Sequence, residues 1–168
     1  TCGDLFLQRT LLDGAKNALF EIVKQTENLD TTIIVGTPLE CLGKLYNCGV
    51  FIYKGEILGV VPKTFVPNYT EFYELRHFTP ASENNCVINI DGNEYPFDTK
   101  LIFRCIENPD FAIAMEICED LWVANTPSTQ HALAGATVIA NISASDETIC
   151  KDEYRRKLVE MTSARLLC

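Results

Sequence analysis

The run Phe111-Ala-Ile-Ala-Met-Glu-Ile117 holds one charged side chain and no apolar-polar alternation, so as a strand it has no face to offer to water. Thr32 to Val35 has the same character, β-branched or aliphatic throughout, and Ala136 to Ile142 reads as a further buried strand. Strands of this kind need covering layers, and helical sequences are present to supply them. Between residues 9 and 25, Leu12, Ala15, Leu19, Ile22 and Val23 fall on one stripe, with Asp13, Lys16 and Gln25 left for solvent. Asp4 or Thr10 is placed to cap the start of that helix. Thr129 to Ala134 reads as a short helix and Lys151 to Leu167 as an amphipathic one. The pattern predicts an α/β fold in layers, with at least one sheet face covered by helices.

Turn chemistry orders the remainder. Lys54-Gly55 joins Tyr46 to Tyr53 with Glu56 to Val61 as a hairpin, and Asp91-Gly92-Asn93 marks a second between Val87 to Ile90 and Glu94 to Phe97. Leu101 to Ile106 and Phe111 to Ile117 are separated by an Asn108-Pro109-Asp110 turn. The stretch from Pro62 to Pro80 fits no regular element. With three prolines and five aromatics, it is the kind of long loop that carries function in a compact domain.

At 168 residues the chain has room for one domain and not two full-sized ones. A formal charge of −9 argues against a nucleic-acid backbone as partner, and no apolar run is long enough to span a membrane as a helix. Eight cysteines show no CxxC pair, and no signal-peptide pattern precedes them. The expectation is a cytoplasmic, reducing setting in which most of these thiols are small buried hydrophobes. Glycine-rich phosphate loops, HExxH and calcium-loop spacings are all missing from the sequence, so no metal or cofactor is expected in this domain. Asn68-Tyr-Thr70 and Asn141-Ile-Ser143 match the glycosylation sequon and are read as coincidence.

Cys118 stands out among the thiols because it follows the apolar strand directly and precedes Glu119-Asp120. The carboxyl end of a strand in an α/β sheet is where a nucleophile is both rigidly held and open to a cleft. Lys63, directly after Val60-Val61-Pro62, could stabilise a thiolate or an oxyanion. Glu71 and Glu74 lie in the same loop and could orient that lysine. Each has a structural alternative: a buried thiol, a surface lysine, salt-bridged surface carboxylates. His77 and His131 are the two histidines, and neither stands in a convincing relation to a cysteine.

At these residues the chain resembles the nitrilase-like glutaminase domain of the glutamine-dependent NAD synthetases. The stretches that carry the likeness are Thr1-Cys-Gly-Asp-Leu-Phe6, Leu45-Tyr-Asn47, Leu58-Gly-Val-Val-Pro-Lys63, Pro67-Asn-Tyr-Thr-Glu-Phe-Tyr-Glu74, Ile117-Cys-Glu-Asp-Leu-Trp122, Leu133-Ala-Gly-Ala136 and Asn141-Ile-Ser-Ala-Ser145. Lys151 to Leu158 resembles the KxxYRRxL stretch that follows them.

The resemblance implies a nitrilase-type α-β-β-α sandwich, incomplete here at both ends, with residues 1–168 a partial carbon-nitrogen hydrolase domain. It implies Cys118 as the nucleophile that carries a γ-glutamyl thioester and Lys63 as the stabiliser of the tetrahedral intermediate. Glu71 would be the additional glutamate that holds the lysine. Glu119, Tyr69 and Ser145 would line the glutamine pocket, and Lys151 could meet the substrate carboxylate. The family's general-base glutamate falls upstream of residue 1, so the chain alone is expected to be inactive. Its expected partners are glutamine, a C-terminal ligase domain that uses ATP and magnesium, and further copies of itself. Two other readings stand beside this one: another carbon-nitrogen hydrolase, such as an aliphatic amidase or nitrilase, and a catalytically silent interaction module.

Overall fold

The structure is a computed structural model that describes residues 2–81 and 86–168. Thr1, the first residue of one of the stretches above, lies outside the described residues. A short 3-10 turn, Gly3–Leu7, leads into α1 (Arg9–Gln25). Neither Asp4 nor Thr10 caps that helix: Asp4 sits in the preceding turn, and Gln8 holds the cap position without a side-chain bond.

Strands β1 (Thr32–Cys41), β2 (Lys44–Tyr53), β3 (Glu56–Pro62), β4 (Cys86–Ile90) and β5 (Asn93–Phe97) form one sheet in the order β1-β2-β3-β5-β4. The strand predicted to end at Val35 runs on to Cys41, through Gly36 and Pro38. Proline is tolerated there because β1 is an edge strand, where one side needs no ladder donor. Three two-residue turns build the hairpins of this sheet: Leu42-Gly43, Lys54-Gly55 and Asp91-Gly92, each with positive φ at both positions. That conformation matches the twist of paired strands.

Strands β6 (Ile102–Arg104), β7 (Ala112–Ile117) and β8 (Val138–Ile142) form a second sheet in that order, with β7 and β8 parallel. All six residues of β7 are buried, as its lack of alternation requires. Between β7 and β8 lies α2 (Pro127–Leu133), and α3 (Lys151–Leu166) follows β8.

Strand alternation sorts the side chains into two cores. Cys48, Val50 and Ile52 of β2 face α1, where Leu19 packs among them with Ile57, Val60, Ile88 and Phe97. Phe51 of the same strand faces the other way and meets Val61, Ile113 and Met115 between the sheets. Gly49 lets the sheets approach: a Cβ there would stand 2.4 Å from the Met115 sulfur. The layers are therefore α1, five-stranded sheet, three-stranded sheet and α2, an α-β-β-α arrangement.

Three expectations need correction. Of the strands read as buried only β7 is fully so: residues 32–35 are half-buried, and β8 is half-buried with Val138 exposed. Of the eight thiols, all free, only Cys41 and Cys48 are buried; Cys150 is exposed and the rest are half-buried. Helix α3 buries none of its residues against this chain, so its apolar side chains are not part of either core.

Candidate active site

Lys63 follows β3 on the side that Gly59 and Val61 turn toward the second sheet, and only 3% of its side chain is exposed. Its backbone is pinned on both sides: the N–H donates to the Asn47 carbonyl at 2.8 Å, and the carbonyl accepts from Ala81 at 3.0 Å. An ammonium so buried needs a partner. Glu74 provides it, at 2.5 Å from Nζ, while its second oxygen accepts from the Asn47 side-chain amide at 2.6 Å. Lys63, Glu74 and Asn47 thus form one hydrogen-bonded unit near the start of β2 and the end of β3.

The holding role expected of Glu71 therefore belongs to Glu74. The loop turns at Tyr69 to Glu74, with Thr70 at positive φ and the Glu74 N–H bonded to the Pro67 carbonyl. That turn carries Glu74 inward, while Glu71 stays exposed. Sequence offered both glutamates three positions apart; only the loop's path separates them.

Cys118 opens a short 3-10 turn, Cys118–Leu121, immediately after β7. Alternation would send its side chain toward α2, where Glu116 accepts a bond from the Ser128 N–H at 3.0 Å. Cys118 instead adopts φ +49°, a left-handed conformation that is strained for a residue with a Cβ and breaks the strand pattern there. Several bonds hold the turn. Asp120 accepts from the Ile117 N–H at 2.9 Å, and the Asn141 amide reaches the Cys118 carbonyl at 3.5 Å and Glu116 at 3.3 Å.

Asp120 also ties the two sheets' ends together, since its other oxygen accepts from the Phe65 N–H at 2.8 Å. The loop that begins with Lys63 is thereby clasped to the turn that begins with Cys118. Burial pushes the Asp120 carboxyl up to about 6, against the backbone N–H donors that favour its charge, and the neighbouring Glu116 adds to the rise.

The Tyr69 hydroxyl donates to the Glu119 carboxylate, 2.8 and 2.9 Å from its two oxygens. Burial of the hydroxyl, then Glu119, push the phenol up to about 12, and the Cys118 thiol and Glu71 lie near enough to contribute. Tyr69 thus meets the residue that follows Cys118. Ser145 lies farther along the chain after β8, its hydroxyl donating to the Asp146 carbonyl at 3.3 Å and accepting from Arg155 at 3.3 Å. Lys151 is ion-paired with Asp146 and lies over the Phe72 and Trp122 rings, 5.9 and 5.7 Å from their centroids.

Both histidines are buried. His77 is enclosed by Phe6, Tyr73 and Phe78, and His131 of α2 bonds the Thr99 carbonyl at 2.8 Å. Among the described residues no cluster of metal-ligating side chains occurs, and no helix is long and apolar enough to cross a membrane. Glu74 is one of the two glutamates that the sequence offers for the lysine; Asn47 and Asn141 are the site residues given no role there, and their signal is contact geometry.

No protein-family model matches the chain. It is 43% identical over 164 residues to the glutamine-dependent NAD(+) synthetase of Mycobacterium tuberculosis, covering 98% of this chain and 24% of that protein. The crystal structure of a glutamine-dependent NAD(+) synthetase from Cytophaga hutchinsonii superposes with a TM-score of 0.84 at 31% identity, covering 99% of this chain and 26% of that one. A nitrilase-superfamily amidase from Nesterenkonia superposes with a TM-score of 0.68 at 13% identity over 99% of this chain and 55% of that one, which speaks to fold alone. The chain spans about a quarter of the length of the curated relatives it matches.

Proposed function

We propose that this chain, a homologue of one segment of the glutamine-dependent NAD(+) synthetases with the carbon-nitrogen hydrolase fold, forms the nucleophile-bearing part of a glutaminase site. The observation that carries the reading is the buried Lys63–Glu74 pair, clasped through Asp120 to the strained turn at Cys118. A fixed ammonium and a thiol held at a strand's end, on segments that Asp120 ties together, are the groups that amide attack needs.

In this reading the Cys118 sulfur adds to the side-chain amide carbon of glutamine. The carbonyl electrons move onto oxygen, where the Lys63 ammonium and the Glu119 N–H stabilise them. The opening N–H groups of a helical turn lack intrahelical acceptors, which suits Glu119 to that task. Collapse, as the proton taken from the thiol passes to the leaving nitrogen, expels ammonia and leaves a γ-glutamyl thioester, which water then cleaves to glutamate and free thiol. Glu119, oriented by Tyr69, receives the substrate ammonium at the mouth of the site, with Ser145 and Glu71 on the neighbouring rim. Lys151 already faces Asp146, so it is a poorer anchor for the substrate carboxylate than its charge suggests.

A proton acceptor for the thiol must complete this scheme. Among the described residues three of the nearby carboxylates are engaged elsewhere, Glu74 with Lys63, Glu119 with Tyr69 and Asp120 with backbone amides, and Glu71 is exposed on the loop. The base in this proposal is a glutamate outside these 168 residues. The ammonia would serve an ATP- and magnesium-dependent ligase domain that amidates deamido-NAD.

The test is labelling by a γ-diazoketone analogue of glutamine, read by peptide mass mapping. Modification confined to Cys118, prevented by excess glutamine and lost in Cys118→Ala, supports the reading. Modification spread over several cysteines and indifferent to glutamine overturns it. Ammonia release from glutamine by the chain alone should fall orders of magnitude below that of a protein supplying the base, since members of such a constellation act as a unit.

A further inference from the structure

The five-stranded sheet curls until its two edge strands approach each other. A cleft of about 170 Å³ beside α1 is lined from one side by Leu39 and Glu40 of β1 and from the other by Asn89 and Ile90 of β4. Helix α1 bridges it, with Arg9 on Glu40 at 2.6 Å and Lys16 on Asp91, beyond the end of β4, at 2.6 Å. At the meeting of these edges stand two thiols. Cys41, the last residue of β1, donates to the carbonyl of Val87, the residue after Cys86, at 3.9 Å, and Cys86 packs against the core cluster to which Cys41 belongs. Cys86, the first residue of β4, donates to the Phe97 carbonyl at 3.6 Å.

We propose that Cys41 and Cys86 are a redox couple, closed to a disulfide by peroxide, that staples the first and last strands of the sheet together. Exposure assigns the roles. Cys41 is 6% exposed, whereas Cys86 is half-buried and open to a small oxidant. Burial also pushes the Cys41 thiol up, which disfavours it as the first nucleophile.

The Cys86 sulfur attacks one peroxide oxygen, the O–O bond breaks, and a sulfenic acid forms as the other oxygen leaves as water. The Cys41 sulfur then attacks the sulfenic sulfur, the S–S bond forms, and the second oxygen leaves as water. Two thiols and one hydrogen peroxide become one disulfide and two waters, with two electrons passing to the oxidant. A dithiol reductant reverses the reaction.

The position gives the staple consequences at a distance. After Cys41 the chain turns at once into β2, whose Leu45 and Asn47 carbonyls hold the Thr79 and Lys63 N–H groups at 2.8 Å each. Both ends of the loop bearing Lys63 and Glu74 are thus anchored to the strand that Cys41 introduces. The bond would stiffen that anchorage. This inference concerns a different pair of residues from the proposed glutaminase chemistry and stands without it.

The test is oxidation of the whole chain by equimolar hydrogen peroxide, alkylation of remaining thiols, digestion without reduction, and peptide mass mapping, beside thermal melts. We expect a peptide cross-linked through Cys41 and Cys86, and a rise in Tm on the order of 5 °C. Dithiothreitol should reverse both, and Cys86→Ser and Cys41→Ser should each abolish both. Cys86→Ser, at a half-buried site, keeps the test open if the Cys41 variant does not fold. Alkylation of both thiols after oxidation would overturn the proposal, as would a bridge through other cysteines or Cys86 accumulating as sulfinic acid beside a free Cys41.

Discussion

At the residue scale, burial makes the Lys63–Glu74 pair consequential. Glu74→Ala would strand an ammonium that is 3% exposed, and breaking a buried pair from one side costs about 3–5 kcal/mol. Glu71→Gln, at an exposed position, should change stability by under about 0.5 kcal/mol. Urea unfolding of the two variants distinguishes the glutamate that holds the lysine; equal losses would contradict the assignment. Asp120 gives a pH signature. Its carboxyl ionises near 3.8 when unfolded and near 6 when folded, so between these values the folded chain binds the extra proton. Stability from this group is therefore full below 3.8 and declines as pH rises toward 6, by about 3 kcal/mol. Unfolding free energies at pH 4 and pH 7 should show this decline in the parent protein and lack it in Asp120→Asn.

At the element scale, the hairpins differ in what surrounds their turns. Gly55 has φ +76°, and a Cβ there would stand 3.0 Å from the Glu27 Cα; Gly92 has φ +89° with nothing within 4 Å. Alanine at Gly92 meets only the left-handed backbone cost of about 1–2 kcal/mol. Alanine at Gly55 adds a clash with main chain and should cost more, which thermal melts of the two variants can rank. The first hairpin, at Leu42-Gly43, escaped sequence reading because leucine is an unusual occupant of a positive-φ turn position. Pairing of β1 and β2 over ten residues on each strand holds it there.

At the scale of the whole molecule, apolar surface is left uncovered. Ile106 is 95% exposed, Leu133 79%, Ile149 96% and Met161 68%, and α3 buries none of its residues. Large apolar side chains left in water at this level of exposure favour association. We expect the isolated chain to self-associate in a concentration-dependent way, with an apparent mass in light scattering that rises on concentration. A monomer at every concentration would count against this. The same scale explains where the site lies: one sheet contributes Lys63 and the other Cys118, and Asp120 joins their ends.

Layering, the helix stripe on α1, two of the three hairpin turns and the thiol at the end of β7 were legible because each depends on neighbours in sequence. The lack of alternation in β7 marked a fully buried strand, although residues 32–35 and β8, read the same way, are only half-buried. A stripe at helical spacing must pack, and Gly after Lys or Asp turns a hairpin. The carboxylate that meets Lys63, the clasp through Asp120, the support from Asn47 and Asn141, and the meeting of Cys41 with Cys86 were decided only by the tertiary structure. Those contacts join residues far apart in the chain, brought together by the path of the loop, the stacking of two sheets and the curl of one of them. Local patterns carry no information about such distances.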